Sequence, residues 1–248
     1  MLRIHMQEIN HFLGIVIKAS QKYQVGNYGL SLSHDFTTHV TTGLLHGTGV
    51  MQRRNDFPTW RESPSVEIFD LIKAVPHLWT QPMLLPTILL QHHISRAENF
   101  CTFQLDDQAN RLQYQLGMSR AGRLHRLRGP YGDPAGERPI NDTKVNLHNL
   151  TGEMNTCITE LIRFCQVSDW ECDCIEFLAR AIDEIASTAE FRAEGGSPEV
   201  REIRECIEYL ASAARGLKGH NNKVKERLQA DFNVVSSVKS FGIFISFT

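Results

Sequence analysis

The chain has 248 residues, and its 26 basic and 28 acidic side chains leave a formal charge of -2. Hydrophobic residues at 42%, charged residues at 22% and a mean hydropathy of -0.26 exclude the collagen-like, wholly disordered and multi-span membrane classes. A near-neutral balance also argues against a general nucleic-acid coat or a polybasic membrane binder, and this length buries a core without covalent staples.

Residues 1 to about 80 show little sustained period around a centre rich in glycine and threonine (Gly26, Gly29, Thr37, Thr38, Thr41, Thr42, Gly43, Gly47). They predict a small irregular α+β region. A strand or helix at Ile9 to Ala19, a strand near Leu30 and a helix from Ser65 through Val75 are its expected elements. His46-Gly47-Thr48-Gly49 echoes a phosphate loop, but it has no lysine and no strand-to-helix frame.

Past Pro82 and Pro86 the chain runs to Leu116 without glycine or proline, with apolar residues at Leu85, Leu89, Phe100, Phe103 and Leu112. This predicts a helix from about 82 to 116, stopped by Gly117. His92-His93 on it has no His-Glu-x-x-His context, so zinc-protease chemistry is unsupported. From Arg120 to Pro139 arginine, glycine and proline interrupt any regular element, which predicts an exposed basic loop.

The strongest pattern follows Asn141-Asp142, either of which can cap a helix. Leu147, Leu150, Met154, Cys157, Leu161, Phe164, Ser168, Glu171, Ile175, Leu178, Ile182, Ile185 and Ala189 step alternately by three and four, a heptad seam. Gly195-Gly196 ends this rod, and Ser197-Pro198-Glu199 starts another. The second seam is Val200, Ile203, Ile207, Leu210, Ala214, Leu217, Asn221, Val224, Leu228, Asp231, Val235 and Val238. Two long heptad helices joined by a short glycine turn predict an antiparallel coiled-coil hairpin from about 142 to 238, because each stripe needs a partner and the nearest is covalently attached. An acid-rich first rod and a base-rich stretch at Arg215, Lys218, Lys223, Lys225 and Arg227 favour that pairing over nucleic-acid binding.

Asp169, Asp173 and Glu176 share one helix face, where three carboxylates can hold a hard divalent cation. The same three acids also fit a solvated outward face. Glu171, Asn221 and Asp231 occupy seam positions, where a polar group must reach a partner or water. The six cysteines form no Cys-x-x-Cys pair, and Cys165 and Cys172 read as small packing residues. No secretory signal is visible, so the thiols are expected to be reduced. Met83 to Leu90 and Phe241 to Phe247 are both too short to cross a bilayer. No nucleophile setting appears, and the chain is not expected to be an enzyme.

Trp79-Thr80-Gln81-Pro82-Met83-Leu84-Leu85-Pro86-Thr87-Ile88-Leu89-Leu90-Gln91-His92-His93, followed by Leu116-Gly117-Met118-Ser119-Arg120-Ala121-Gly122-Arg123, resembles the soluble portion of fungal CorA-like magnesium transporters. In that family such a block precedes long stalk helices, two membrane spans and a Gly-Met-Asn signature. Here the sequence after Val235 does not continue into those spans, and Gly117-Met118-Ser119 is not that signature. The resemblance implies a cytoplasmic, non-catalytic stalk or regulatory fragment that cannot transport alone, although family members are integral membrane proteins. It also implies self-association and weak Mg2+ binding, with Asp169, Asp173 and Glu176 as the candidate ligands and no required cofactor.

The expected architecture is mainly α: residues 1–80 as the small irregular α+β region, 81–141 as a helix and basic loop, 142–238 as the helical hairpin, and 239–248 as an apolar tail. The rival reading is a soluble coiled-coil interaction module. It would offer Glu171, Ile175, Leu178, Ile207, Leu210 and Asn221 as a seam for a partner helix or a second copy.

Overall fold

A computed structural model describes residues 5–9, 12–18, 25, 27–48, 50–51, 62–116, 147–187 and 197–245. The chain is mostly helical, with a small antiparallel sheet near its N-terminus. The predicted basic loop, the Asn141-Asp142 cap, Ala189 and Gly195-Gly196 lie outside the described residues.

The N-terminal strands are β1 (His5–Ile9), β2 (Phe12–Lys18), β3 (Asn27–Asp35) and β4 (Val40–Thr48), an antiparallel meander in chain order. The described part of the expected α+β region thus contains a sheet, whose period-two signal is broken by glycine and serine on one face. Leu13, Ile15 and Ile17 face the core opposite His34, Leu32 and Leu30, while Phe12 and Val16 point outward. Of the phosphate-loop echo, His46, Gly47 and Thr48 lie in β4, where Gly47 pairs with Tyr28. At the β3–β4 turn Asp35 accepts from the Thr37 and Thr38 amides and the Thr38 hydroxyl.

Helix α1 spans Pro64–Ala74, with proline in its first turn where its missing N–H costs nothing. After a short 3-10 turn, α2 (Leu84–Phe100) passes through a π-helical turn (Cys101–Leu105) into α3 (Asp106–Gln115). The predicted helix from 82 to 116 is therefore present but not uniform. Buried positions recur every fourth residue along it: Leu89, His93, Ala97, Cys101, Leu105, Ala109 and Gln113. A four-residue repeat outruns a 3.6-residue helix by about 40° per step. The wider π turn takes up part of that drift.

The two long rods are α4 (Leu147–Ser187, 41 residues) and α5 (Pro198–Ile245, 48 residues). The last helix continues past 238, so residues 239–245 of the expected tail belong to it. The Ser197 hydroxyl accepts from the Val200 amide, as its capping position requires. Among the described residues no helix is long and apolar enough to cross a membrane.

The chain divides into two compact units that do not follow sequential segments, because the long helices contribute to both. One comprises residues 1–99 and 167–217, the other 100–166 and 218–248. In the first, the inner sheet face joins Ile68, Leu84, Ile88, Ile175, Leu178, Ile182, Ile207 and Leu210 in one core. In the second, Phe100 stacks on Phe164 with ring centroids 4.6 Å apart, among buried Leu112, Met154, Leu161 and Leu228.

Candidate functional site

Within the first unit, α2 carries three basic side chains into the interior: His92, His93 and Arg96. Burial of such groups is costly unless each is bonded. Glu67, one turn into α1, serves two of them. Its Oε2 accepts from His92 Nε2 at 2.7 Å and from Arg96 Nε and Nη2 at 3.0 and 2.7 Å. Arg96 Nη2 also donates to the Glu62 carbonyl at 3.3 Å. Burial pushes the Glu67 carboxyl upward, but the hydrogen bonds and charge of His92 and Arg96 leave it below its ordinary range. Burial is also the main cause holding His92 below its ordinary value, over the opposing pull of Glu67.

His93 points to a different partner. Its Nδ1 lies 2.8 Å from Glu171 Oε1 of α4, and both side chains have 0% exposure. The Trp170 indole packs against the imidazole, with centroids 4.7 Å apart and planes tilted by 56°. Glu171 Oε2 and Trp170 Nε1 are buried without a hydrogen-bond partner among the described residues. Nearby Cys174 is buried too, and burial, with Glu171 and Asp173, pushes its thiol up to about 12.

This cluster ties α2 to α1 and to α4 within the unit. A small, mostly apolar cavity in this unit is lined by Gln81, Met83, Ile182, Ile185, Val200 and Ile203. In the second unit an open polar groove of about 830 Å³ is lined by Phe103, Asp107, Gln108, Arg111 and Glu153. Neither groove nor cavity includes His93 or Glu171.

Of the residues expected to bind a cation, Asp169, Asp173 and Glu176 are all exposed on α4. Among the described residues, no group of three or more His, Cys, Asp or Glu side chains is placed to hold a metal ion. The seam residues Glu171, Ile175, Leu178, Ile207, Leu210 and Asn221 are all buried within the single chain. Cys165 and Cys172 are half-buried, whereas Cys174 is the fully buried thiol of that stretch.

Two of the polar seam positions find partners on a third helical segment. Glu171 meets His93 of α2, and in the second unit Asp231 accepts from Gln113 of α3. Sequence reasoning raised the question for Glu171 and Asp231 but did not name the answer. The available signal was the four-residue spacing that puts His93 between Leu89 and Ala97 on a buried face. Of the basic stretch near the end of α5, Arg227 donates to Asn110 of α3 at 3.1 Å and lies 3.7 Å from Asp106, which His220 also faces.

No family model matches the chain, and no curated protein matches it.

Proposed function

We propose that this chain is a non-catalytic helical stalk or regulatory fragment resembling that of CorA-like divalent-cation transporters, and that it forms no pore itself. The observation that carries the reading is the burial of the three-four seam along both long helices. Every described seam side chain from Leu150 to Ile185 is buried, as is every one from Val200 to Leu228. Such a seam makes a long element rigid, which is what a stalk requires.

An antiparallel hairpin of α4 on α5 belongs to this reading. Two contacts support it: Asp183 lies 3.1 Å from Arg204, and Cys165 lies 3.3 Å from Asn222. In antiparallel helices, later residues of one meet earlier residues of the other at a nearly constant sum of numbers, and both pairs follow that rule.

The interaction-module reading asks the seam to face a partner. Leu178 at 0% and Ile207 at 3% exposure favour the stalk instead. Self-association, which the stalk reading includes, would then use side chains outside the seam. Weak magnesium binding by Asp169, Asp173 and Glu176 is a separable part of the proposal. Millimolar Mg2+ should raise the melting temperature relative to chelator, and identical curves would remove it.

The deciding experiment is sequencing of the transcript across the codons for Val235 to Thr248. A message that runs on into two hydrophobic spans with Gly-Met-Asn makes this chain the stalk of a longer transporter, and overturns the reading of it as a fragment. A stop codon after Thr248 leaves a fragment and moves the interaction-module reading ahead.

A further inference from the structure

The edge of a sheet is a template of unpaired backbone groups, and folded chains blunt it with short length, charge, proline, a bulge or a cover. Strand β4 carries none of these devices among the described residues. It runs for 9 residues at the edge of the sheet, and its sequence from Val40 to Thr48 holds no Asp, Glu, Lys, Arg or Pro. Its register with β3 is one to one along its whole length, without a bulge. No second described strand pairs with it, and Val40, Thr42, Gly43, Leu44, His46 and Gly47 are all exposed.

The two faces of β4 differ. Thr41 turns inward to the His34 imidazole, 2.8 Å from its Nδ1, and Leu45 packs against the core. A Cβ on Gly43 would meet Leu85 of α2. The alternate residues Val40, Thr42 and Leu44 therefore point outward, and Val40 and Leu44 are 55% and 64% exposed.

Two bulky apolar side chains beside a free edge call for a strand with apolar side chains at matching places and no charge between them. Strand β4 itself has that pattern. In antiparallel pairing about a two-fold axis at Thr42, each Val40 lies opposite Leu44 of the second copy, and each Thr42 lies opposite its equivalent. Apolar pairs and threonine pairs in such positions stabilise a sheet, and no like charges meet. On the inner side Thr41 faces Gly43, which leaves it room.

We propose that β4 is a self-pairing edge, through which two copies of this chain join their sheets about a two-fold axis at Thr42. The inference does not depend on the stalk reading, whose buried seam it leaves untouched.

The test is size exclusion with light scattering on the full chain at loadings from about 1 to 100 μM, the span in which interfaces of modest area associate. The wild type should pass from monomer to dimer within that span. Thr42→Lys puts like charges opposite each other at the axis and should weaken the dimer by about fivefold or more. Val40→Glu and Leu44→Lys should each weaken it alone. An equimolar mixture of those two should recover it, because the introduced acid and base then face each other across the axis. All three positions are exposed, so the monomeric variants should melt like the wild type. A wild type that stays monomeric overturns the proposal and leaves the edge to an extended segment of another protein. It is equally overturned by wild-type assemblies that grow beyond the dimer, by a Thr42→Lys variant that dimerises as well as the wild type, or by a mixture no stronger than its components.

Discussion

His93 Nδ1 and Glu171 Oε1 stand 2.8 Å apart, and neither side chain reaches solvent. Their residues are far apart in sequence, yet they join the first unit's α2 to its portion of α4. A polar seam position is thereby matched to a polar position on a third helical segment. That match penalises any sliding that would place Glu171 against an apolar neighbour.

Breaking one side of this pair leaves the other buried and unpaired. His93→Leu or Glu171→Leu should each destabilise the chain by about 3 to 5 kcal/mol, and the double variant by much less than the sum. Urea denaturation of the four proteins in a double-mutant cycle measures the coupling. Additive effects would mean that the two side chains do not act together.

Glycine substitutions should change stability in opposite directions in sheet and helix. A Cβ on Gly29 would lie 2.7 Å from the Ile17 carbonyl oxygen, a backbone atom that cannot swing aside. Gly29→Ala should therefore cost about 1 to 3 kcal/mol. Gly216 and Gly219 in α5 have nothing within 4 Å of the same position, so alanine there should add about 0.5 to 1 kcal/mol each by restricting the unfolded chain and favouring helix. Thermal melts of the three single variants check both signs.

Acid should weaken the fold through His34. Burial, aided by His39 and opposed by Asp35, pushes its imidazole down from 6.5 to about 4. The folded state thus binds fewer protons than the unfolded one. Stability is intact above pH about 6.5 and falls towards pH 4, by up to about 3 kcal/mol. His34→Gln, which keeps a hydrogen-bonding group for Thr41, should flatten that part of the profile. Glu67, held below its ordinary range, has a contribution that persists above its ordinary value and is lost as pH falls through its folded one, so a steeper loss at lower pH should survive in the variant. A variant with an unchanged profile from pH 6.5 to 4.5 would show that His34 is not the group involved.

Thiol chemistry should follow burial. Burial and Glu160 raise Cys157 to about 11, and burial, with its acidic neighbours, raises Cys174 to about 12. Cys165, Cys172 and Cys206 are half-buried. Alkylation of the native chain followed by peptide mass spectrometry should mark some of these three first and leave Cys101, Cys157 and Cys174 unmodified until urea opens the core. Labelling of Cys174 as fast as Cys172 would contradict the packing described.

The sequence by itself determined the two long helices, the break between them and the identity of their buried stripes. Heptad spacing is a local property: Leu150, Met154, Leu161 and their successors fall on one face whatever the helix touches. Helix α1 and the long helical stretch beyond Pro82 were legible for the same reason. The four-stranded meander was not, because its apolar alternation is diluted by Gly14, Gly29, Ser31, Ser33 and Gly43, and pairing joins strands through backbone groups that carry no residue signature.

Only the tertiary structure decided what the polar seam positions meet. Glu171 and Asp231 declared a need for partners, but a carboxylate's need does not name its donor. His93 and Gln113 became the partners because α2 and α3 present a four-residue buried stripe that the π turn keeps from winding away. The same holds for the acids at Asp169, Asp173 and Glu176. Spacing put them on one face, and packing left that face in water.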